Sequence, residues 1–201
     1  MGEALDKFEK FLHDDSLPVL IHCGLAHAQF ETIHPFLDGN GRVGRLLITL
    51  LLCQRGALHR PLLYLSHFLK ANRLEYYERL MAIRNHGDWE GWMKFFLSGV
   101  AEVSEQAIEK ARQIVQLREE HRDTISRSKA RIANRSLRLL DYLYDQPVVS
   151  ARMVEEYLNV SYVTADKVIQ NLRELNLLKP MSKHRRNRRY AYDSYMALFK
   201  L

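Results

Sequence analysis

The sequence predicts a mainly α protein: a helical part up to about residue 130, then a small α+β winged helix-turn-helix domain. Three observations predict it. Before residue 130, apolar residues recur at helical spacing nearly everywhere. After it the text changes to helix, short helix, tight turn, helix and a strand–loop–strand. Charge divides at the same place. Residues 1–129 carry 17 basic and 17 acidic side chains, and residues 130–201 carry 13 and 7, so the surplus of +6 lies wholly in the last third. Such a split implies two domains with different partners, and a polyanion suits the second.

The elements follow in order. Leu5, Phe8, Phe11 and Leu12 have helical spacing, and Pro18 opens the next helix. Residues 18–33 are apolar at Val19, Leu20, Cys23, Ala26, Phe30 and Ile33, the pattern of a mostly buried helix. It ends before Pro35, because a residue preceding proline disfavours the helical region. A Gly-rich loop leads to a helix over about 42–55, closed by Gly56. Its apolar text on nearly all sides places it in the middle of a domain. Helices over 67–85 and 89–99 follow, and an amphipathic stretch over 99–128, rich in Glu, Arg and Gln, serves as a connector.

In the last third, 132–145 forms a helix with Leu137, Leu140, Leu143 and Tyr144 on its apolar face, and Pro147 breaks it. Ser150 caps a short helix over 151–158. Asn159-Val160-Ser161 turns the chain into a helix over 162–175. Leu177-Leu178 starts a strand, 183–189 is a basic loop, and Tyr190-Ala191-Tyr192 returns as a strand.

Composition excludes several classes. At 201 residues and 47% apolar, the chain buries a sizeable core and is not a disordered segment. Its two cysteines, Cys23 and Cys53, lie in apolar helical text and read as reduced core thiols rather than a disulfide framework. No apolar run reaches the ~18 residues of a membrane span, and the N-terminus has no basic-then-apolar signal. The expectation is a cytoplasmic protein with no membrane partner.

The informative stretch is His34-Pro35-Phe36-Leu37-Asp38-Gly39-Asn40-Gly41-Arg42-Val43-Gly44-Arg45. It is a loop on a base of two buried helices. Gly39 and Gly41 permit positive φ and close approach of a ligand to the backbone. Successive amides in such a turn form an anion nest, and the helix starting near Arg42 adds its N-terminal dipole. Arg42 and Arg45, three apart, share a side of its first turn. Cations there oppose the dipole unless a polyanion sits between them. Asp38 beside the nest is a Mg²⁺-type carboxylate, and His34 is a base of the type that works near neutral pH. Together these describe phosphoryl or nucleotidyl transfer from a triphosphate.

Simpler readings are weaker. Gly-Asn-Gly alone is a common turn, Asp38 alone is a cap, and His34 alone is a turn residue. An EF-hand fails. Asp38 and Asn40 fit its first and third positions, but Arg42 is fifth, Val43 replaces the sixth-position Gly and Thr49 replaces the terminal Glu. A P-loop fails because no Gly-Lys-Ser/Thr follows the glycines.

The run HPFLDGNGRVGR resembles the Fic-family motif, His-Pro-Phe-x-Asp/Glu-Gly-Asn-Gly-Arg-x-x-Arg, at every defined position. The flank Ala26-His27-Ala28-Gln29-Phe30-Glu31 and the segment from Asn72 to Trp92 are also similar to Fic proteins. The resemblance covers about 10–100. It implies a helical Fic-type catalytic core over 1–100, a helical connector over 101–130 and the winged helix over 131–201. The implied activity is AMP transfer from ATP, with Mg²⁺, to a Ser, Thr or Tyr hydroxyl of an unidentified target protein. By matching position, His34 is the general base, Phe36 points into the core and anchors the loop, and Asp38 holds Mg²⁺. Gly39, Asn40 and Gly41 cradle the phosphates, and Arg42 and Arg45 hold the end that leaves as pyrophosphate. The adenine lies toward Asn72, Tyr76 and Tyr77, for which core packing is the competing reading.

Two family features have no match. The family usually carries a β-hairpin flap upstream of the motif, but only 33 residues precede His34 and they read as helix. Many members carry an inhibitory Ser/Thr-x-x-x-Glu-Gly/Asn helix; Ser98 to Glu102 has the spacing, but Val103 follows. The expectation is a truncated member with an intact loop and impaired target binding, or one in which docking and inhibition are supplied otherwise.

In the basic third, 162–175 is the candidate recognition helix, and Arg185, Arg186, Arg188 and Arg189 form a basic wing for DNA phosphates. That helix mixes Asp166, Gln170 and Glu174 with Lys167 and Arg173, so a protein partner or a homodimer is the alternative to DNA. Two other functions compete with the adenylyltransferase. One is a DNA-binding regulator whose loop senses a nucleotide. The other is a variant transfer: phosphate, UMP, or removal of AMP.

Overall fold

The computed structural model describes residues 2–58, 65–128, 130–181 and 188–199. It divides into two compact units, residues 1–108 and 109–201, each with its own core. No helix among the described residues is long and apolar enough to cross a membrane.

The first unit is helical: α1 (Gly2–Leu12), α2 (Val19–Ile33), α3 (Asn40–Gln54), α4 (Leu65–Ala71), α5 (Arg73–His86) and the beginning of α6 (Trp89–Ser126). α2 is the central helix. It buries His22, Cys23, Gly24, Ala26, His27, Ala28 and Phe30, residues from more than one of its faces. Small residues on it let α6 approach closely, so that Trp92 donates its indole N–H to the Gly24 carbonyl at 2.9 Å. Phe8, Ile48, Leu51, Leu52, Phe68, Trp92 and Phe96 complete this core. The expected single helix over 67–85 is two. The chain breaks at Asn72, whose φ of −102° and ψ of 38° are not helical. The expected connector is the continuation of α6, one helix of 38 residues.

α3 departs from the expected helix buried on all sides. It buries Asn40, Gly44, Ile48, Leu51 and Leu52, yet leaves Val43, Leu46 and Leu50 exposed. The apolar text is real, but the described residues cover only one face.

The second unit holds α7 (Ala130–Asp145), β1 (Val148–Ser150), α8 (Ala151–Leu158), α9 (Tyr162–Glu174), β2 (Lys179–Pro180), β3 (Arg189–Ala191) and α10 (Asp193–Ala197), together with the end of α6. Ser150 and Ser161 cap α8 and α9 by accepting from the amides of Met153 and Thr164, each at 3.4 Å. Asn159, left-handed at φ 51°, ends α8 and leaves a three-residue turn into α9. The strands form an antiparallel sheet ordered β1-β3-β2, with Val149 opposite Tyr190 and Lys179 opposite Ala191. The helices and the hairpin follow the expected order, to which the structure adds β1 and α10. The expected strand at Leu177-Leu178 begins two residues later, because both leucines are buried in the core instead. Leu139, Leu140, Leu143, Val154, Val168, Ile169, Leu172 and Tyr192 fill that core.

Candidate active site

The loop between α2 and α3 is built by three backbone events. α2 stops at His34, which is left-handed at φ 51° and ψ 58° and donates its amide to the Phe30 carbonyl at 2.9 Å. A residue with a side chain rarely holds this conformation, and Pro35 blocks the helical alternative. Gly39, at φ 86°, then occupies the left-handed region just before α3. Its carbonyl accepts from the amides of Arg42 and Val43, which starts the helix.

Between these points one side chain braces the loop. Asn40 is buried, and its carboxamide closes a pair of hydrogen bonds with Phe36. Oδ1 accepts the Phe36 amide at 2.9 Å, and Nδ2 donates to the Phe36 carbonyl at 2.6 Å. Asn40 spends its side chain on the loop's own backbone, which leaves its amide for a phosphate. One expectation is corrected. Phe36 does not point into the core: it is 50% exposed, with its ring against Phe30 at 6.2 Å between centroids. The anchor is the Asn40 amide, not the Phe36 ring.

The remaining loop groups face outward. His34 and Asp38 are exposed. Asp38 Oδ1 accepts the Gly39 amide at 2.7 Å, and Oδ2 lies 3.7 Å from Arg42, a pair too exposed to hold either group firmly. No side chain caps α3, so its first amides are left to solvent or to an anion.

Beneath the loop lies a buried polar set. His27 is fully buried. Its Nδ1 is 2.9 Å from the Gly44 carbonyl, which only accepts, so the proton is on Nδ1. Burial pushes the imidazole pKa down to about 4, so the ring is neutral near pH 7. Its Nε2 therefore accepts the Tyr76 hydroxyl at 2.9 Å. Trp92 stacks on the ring with centroids 5.9 Å apart. Gly44 is needed here for space. A Cβ would fall 2.6 Å from Glu31 Oε1 and 3.2 Å from His27 Cε1.

The Fic/DOC family model matches residues 1–52, which span α2, the loop and most of α3. Over these residues the chain is similar to the Fic/DOC family. The chain is 32% identical over 108 residues to the protein adenylyltransferase Fic of Drosophila ananassae and, equally, to that of Drosophila melanogaster. Each alignment covers 52% of this chain and 20% of the relative, so the chain spans about a fifth of the length of these curated relatives. A crystal structure of a Fic family protein from Desulfovibrio desulfuricans G20 shares the fold, with a TM-score of 0.53 at 20% identity. That match covers 95% of this chain and 54% of the other.

Outside the Fic motif the expected site residues scatter. Tyr76 is core: it is buried, and its hydroxyl is committed to His27. Tyr77 is half exposed on the surface, with the Arg73 guanidinium 5.6 Å from its ring centroid. Asn72 lines a depression of about 350 Å³ with Phe68, Glu75, Arg79, Lys94 and Phe95, which no motif residue lines. The structure does not gather Asn72, Tyr76 and Tyr77 into one adenine pocket, because successive helical residues point about 100° apart. Arg185 and Arg186 lie outside the described residues; Arg188 and Arg189 are exposed at β3. Sequence reasoning missed His27, Glu31 and Gly44 as site residues. Part of their signal was present: His27 and Glu31 lie four apart, on one face of the helix before the motif.

No group of three or more His, Cys, Asp or Glu among the described residues forms a metal cluster. Asp38 alone still suits Mg²⁺, which takes one or two protein carboxylates and completes its shell with water and substrate phosphates. Its accessible Oδ2 fits that role.

Proposed function

We propose that the chain transfers AMP from ATP to a hydroxyl of a protein. The observation that carries the reading is the uncapped start of α3 at Gly39, with His34, Asp38, Arg42 and Arg45 arranged about it. The family-model match over residues 1–52 and the names of the relatives support it.

In this reading the free amides of α3 and the left-handed Gly39 face the phosphates. His34 accepts the proton of the target hydroxyl. The hydroxyl oxygen forms a bond to the α-phosphorus, the bond to the β-phosphate bridge breaks, and pyrophosphate carries away the charge. Arg42 and Arg45 stabilise that charge as it develops. Asp38 would hold Mg²⁺, which when bound neutralises phosphate charge and strengthens the leaving group. Asn40 braces the loop beside these amides.

The test is self-labelling of the chain by ATP carrying a label on its α-phosphate, with Mg²⁺. His34→Ala lowers the rate about 10²–10⁴-fold, the range of a positioned base. Equal labelling of both proteins removes His34 from this role. Label transferred from the γ-phosphate instead turns the reading into phosphoryl transfer.

For the second unit we propose a winged helix that binds duplex DNA. The exposed cations Arg135, Arg138, Arg152, Lys167, Lys179 and Arg189 support it, with Tyr162 and Val163 bare at the start of α9.

A further inference from the structure

Glu31 has no part in the chemistry above. It lies in the last turn of α2, three residues before His34, on the same side of that helix. Its Oε1 is shut off from solvent and has no hydrogen-bond partner among the described residues. A buried acceptor without a donor is costly. The Tyr76 hydroxyl also faces the carboxylate, but it gives its one proton to His27, whose neutral Nε2 only accepts.

What surrounds the carboxylate is cationic. The point where a Gly41 Cβ would stand is 3.1 Å from Arg45 Nη1 and 3.9 Å from Glu31 Oε1, so guanidinium and carboxylate converge on one glycine. Gly44 leaves the space the carboxylate fills. The groups facing Glu31 are His34 at the end of its own helix, Arg45 from α3, Tyr76 from α5 and the neutral His27. Burial raises its carboxyl pKa, against which His34, Arg45 and, last, the Tyr76 hydroxyl act to lower it. Arg45 sits near the positive end of α3, which repels it. A carboxylate behind it offsets that repulsion.

We propose that Glu31 is a positioning residue that holds the Arg45 guanidinium toward the triphosphate site. The proposal rests on the adenylyl-transfer reading for its chemistry, but nucleotide binding tests it separately. A merely structural Glu31 and a positioning Glu31 predict different things. Glu31→Gln keeps the shape and removes the buried charge.

The measurements are ATP binding by calorimetry, labelling rate, and thermal midpoint, on the full chain. The expected result is a thermal midpoint unchanged or raised, with ATP affinity and labelling rate each lowered about ten-fold, a size common for coupled neighbours. In an Arg45→Ala background, Glu31→Gln has no further effect on binding. Wild-type binding in Glu31→Gln overturns the proposal. So does an equal loss with and without Arg45, or a loss that only follows a lowered midpoint. If His34→Ala labels normally, the transfer reading falls, while the binding comparison still decides the role of Glu31.

Discussion

His27 gives the first unit a defined acid sensitivity. Its ring titrates near 6.5 when unfolded and is pushed down to about 4 by burial in the fold. Between those values the unfolded chain binds more protons than the native one. Stability from this residue is therefore complete above about pH 6.5 and lost as pH falls toward 4. Between pH 7.5 and 5 the loss amounts to about 2 kcal/mol at ~1.4 kcal/mol per unit. Glu31 acts in the opposite direction, because a raised carboxyl favours the native state as pH falls. A difference measurement isolates the histidine: urea unfolding of wild type and His27→Gln at the two pH values. Wild type loses about 2 kcal/mol more than the variant on acidification. An equal loss in both leaves the ring without this role. The sequence shows His27 in a helix of apolar text but not its partner Tyr76, 49 residues later. That pairing exists only because α5 packs on α2.

At the scale of elements, the loop between α2 and α3 was legible because its conformation is forced locally. Pro35 ends one helix, and Gly39 and Gly41 mark the start of the next. The division of labour inside it was not legible. Asn40 and Phe36 each suit either the ligand or the brace, and only the paired hydrogen bonds assign the brace to Asn40. Asn40→Ala removes both partners of the Phe36 amide and carbonyl, a cost of about 1–3 kcal/mol. Asn40→Asp keeps the acceptor, loses the donor and sets a negative charge against the Phe36 carbonyl, so it lowers labelling further than Ala does. Chemical unfolding together with the labelling rate checks the pair. An Asp variant as active as wild type shows that the loop does not depend on this brace. α8 is read at its observed limits, Ala151–Leu158, because Ser150 caps it and its apolar spacing is regular. β1 escapes because three residues, Val148–Ser150, are too few to show alternation, and its partner strand begins only at Arg189. α3 misleads in the opposite sense. Val43, Leu46 and Leu50 are as apolar as Ile48 and Leu51, and nothing in the text says which face is covered.

At the scale of the whole molecule the controlling quantity is the distribution of charge. Residues 1–129 are balanced and residues 130–201 carry all six excess positive charges. A uniformly weak cationic surface gives no binding, whereas cations gathered on one small unit give a potential that salt screens. The described part of that unit exposes Arg135 and Arg138 on α7, Lys167 on α9, and Lys179 and Arg189 on the hairpin. Each phosphate neutralised releases condensed counterions, and the logarithm of affinity falls by about 0.9 per tenfold rise in salt for each one. Engagement of four such side chains gives a slope near −3.6 with random duplex DNA, and Arg135→Ala with Arg138→Ala reduces it by about two of these steps. Fluorescence polarisation of a labelled duplex between 50 and 200 mM salt measures both slopes. A flat response in the full chain assigns the second unit to a protein partner, or to a second copy of the chain. A steep response that survives the double substitution moves the contact from α7 to α9 and the hairpin.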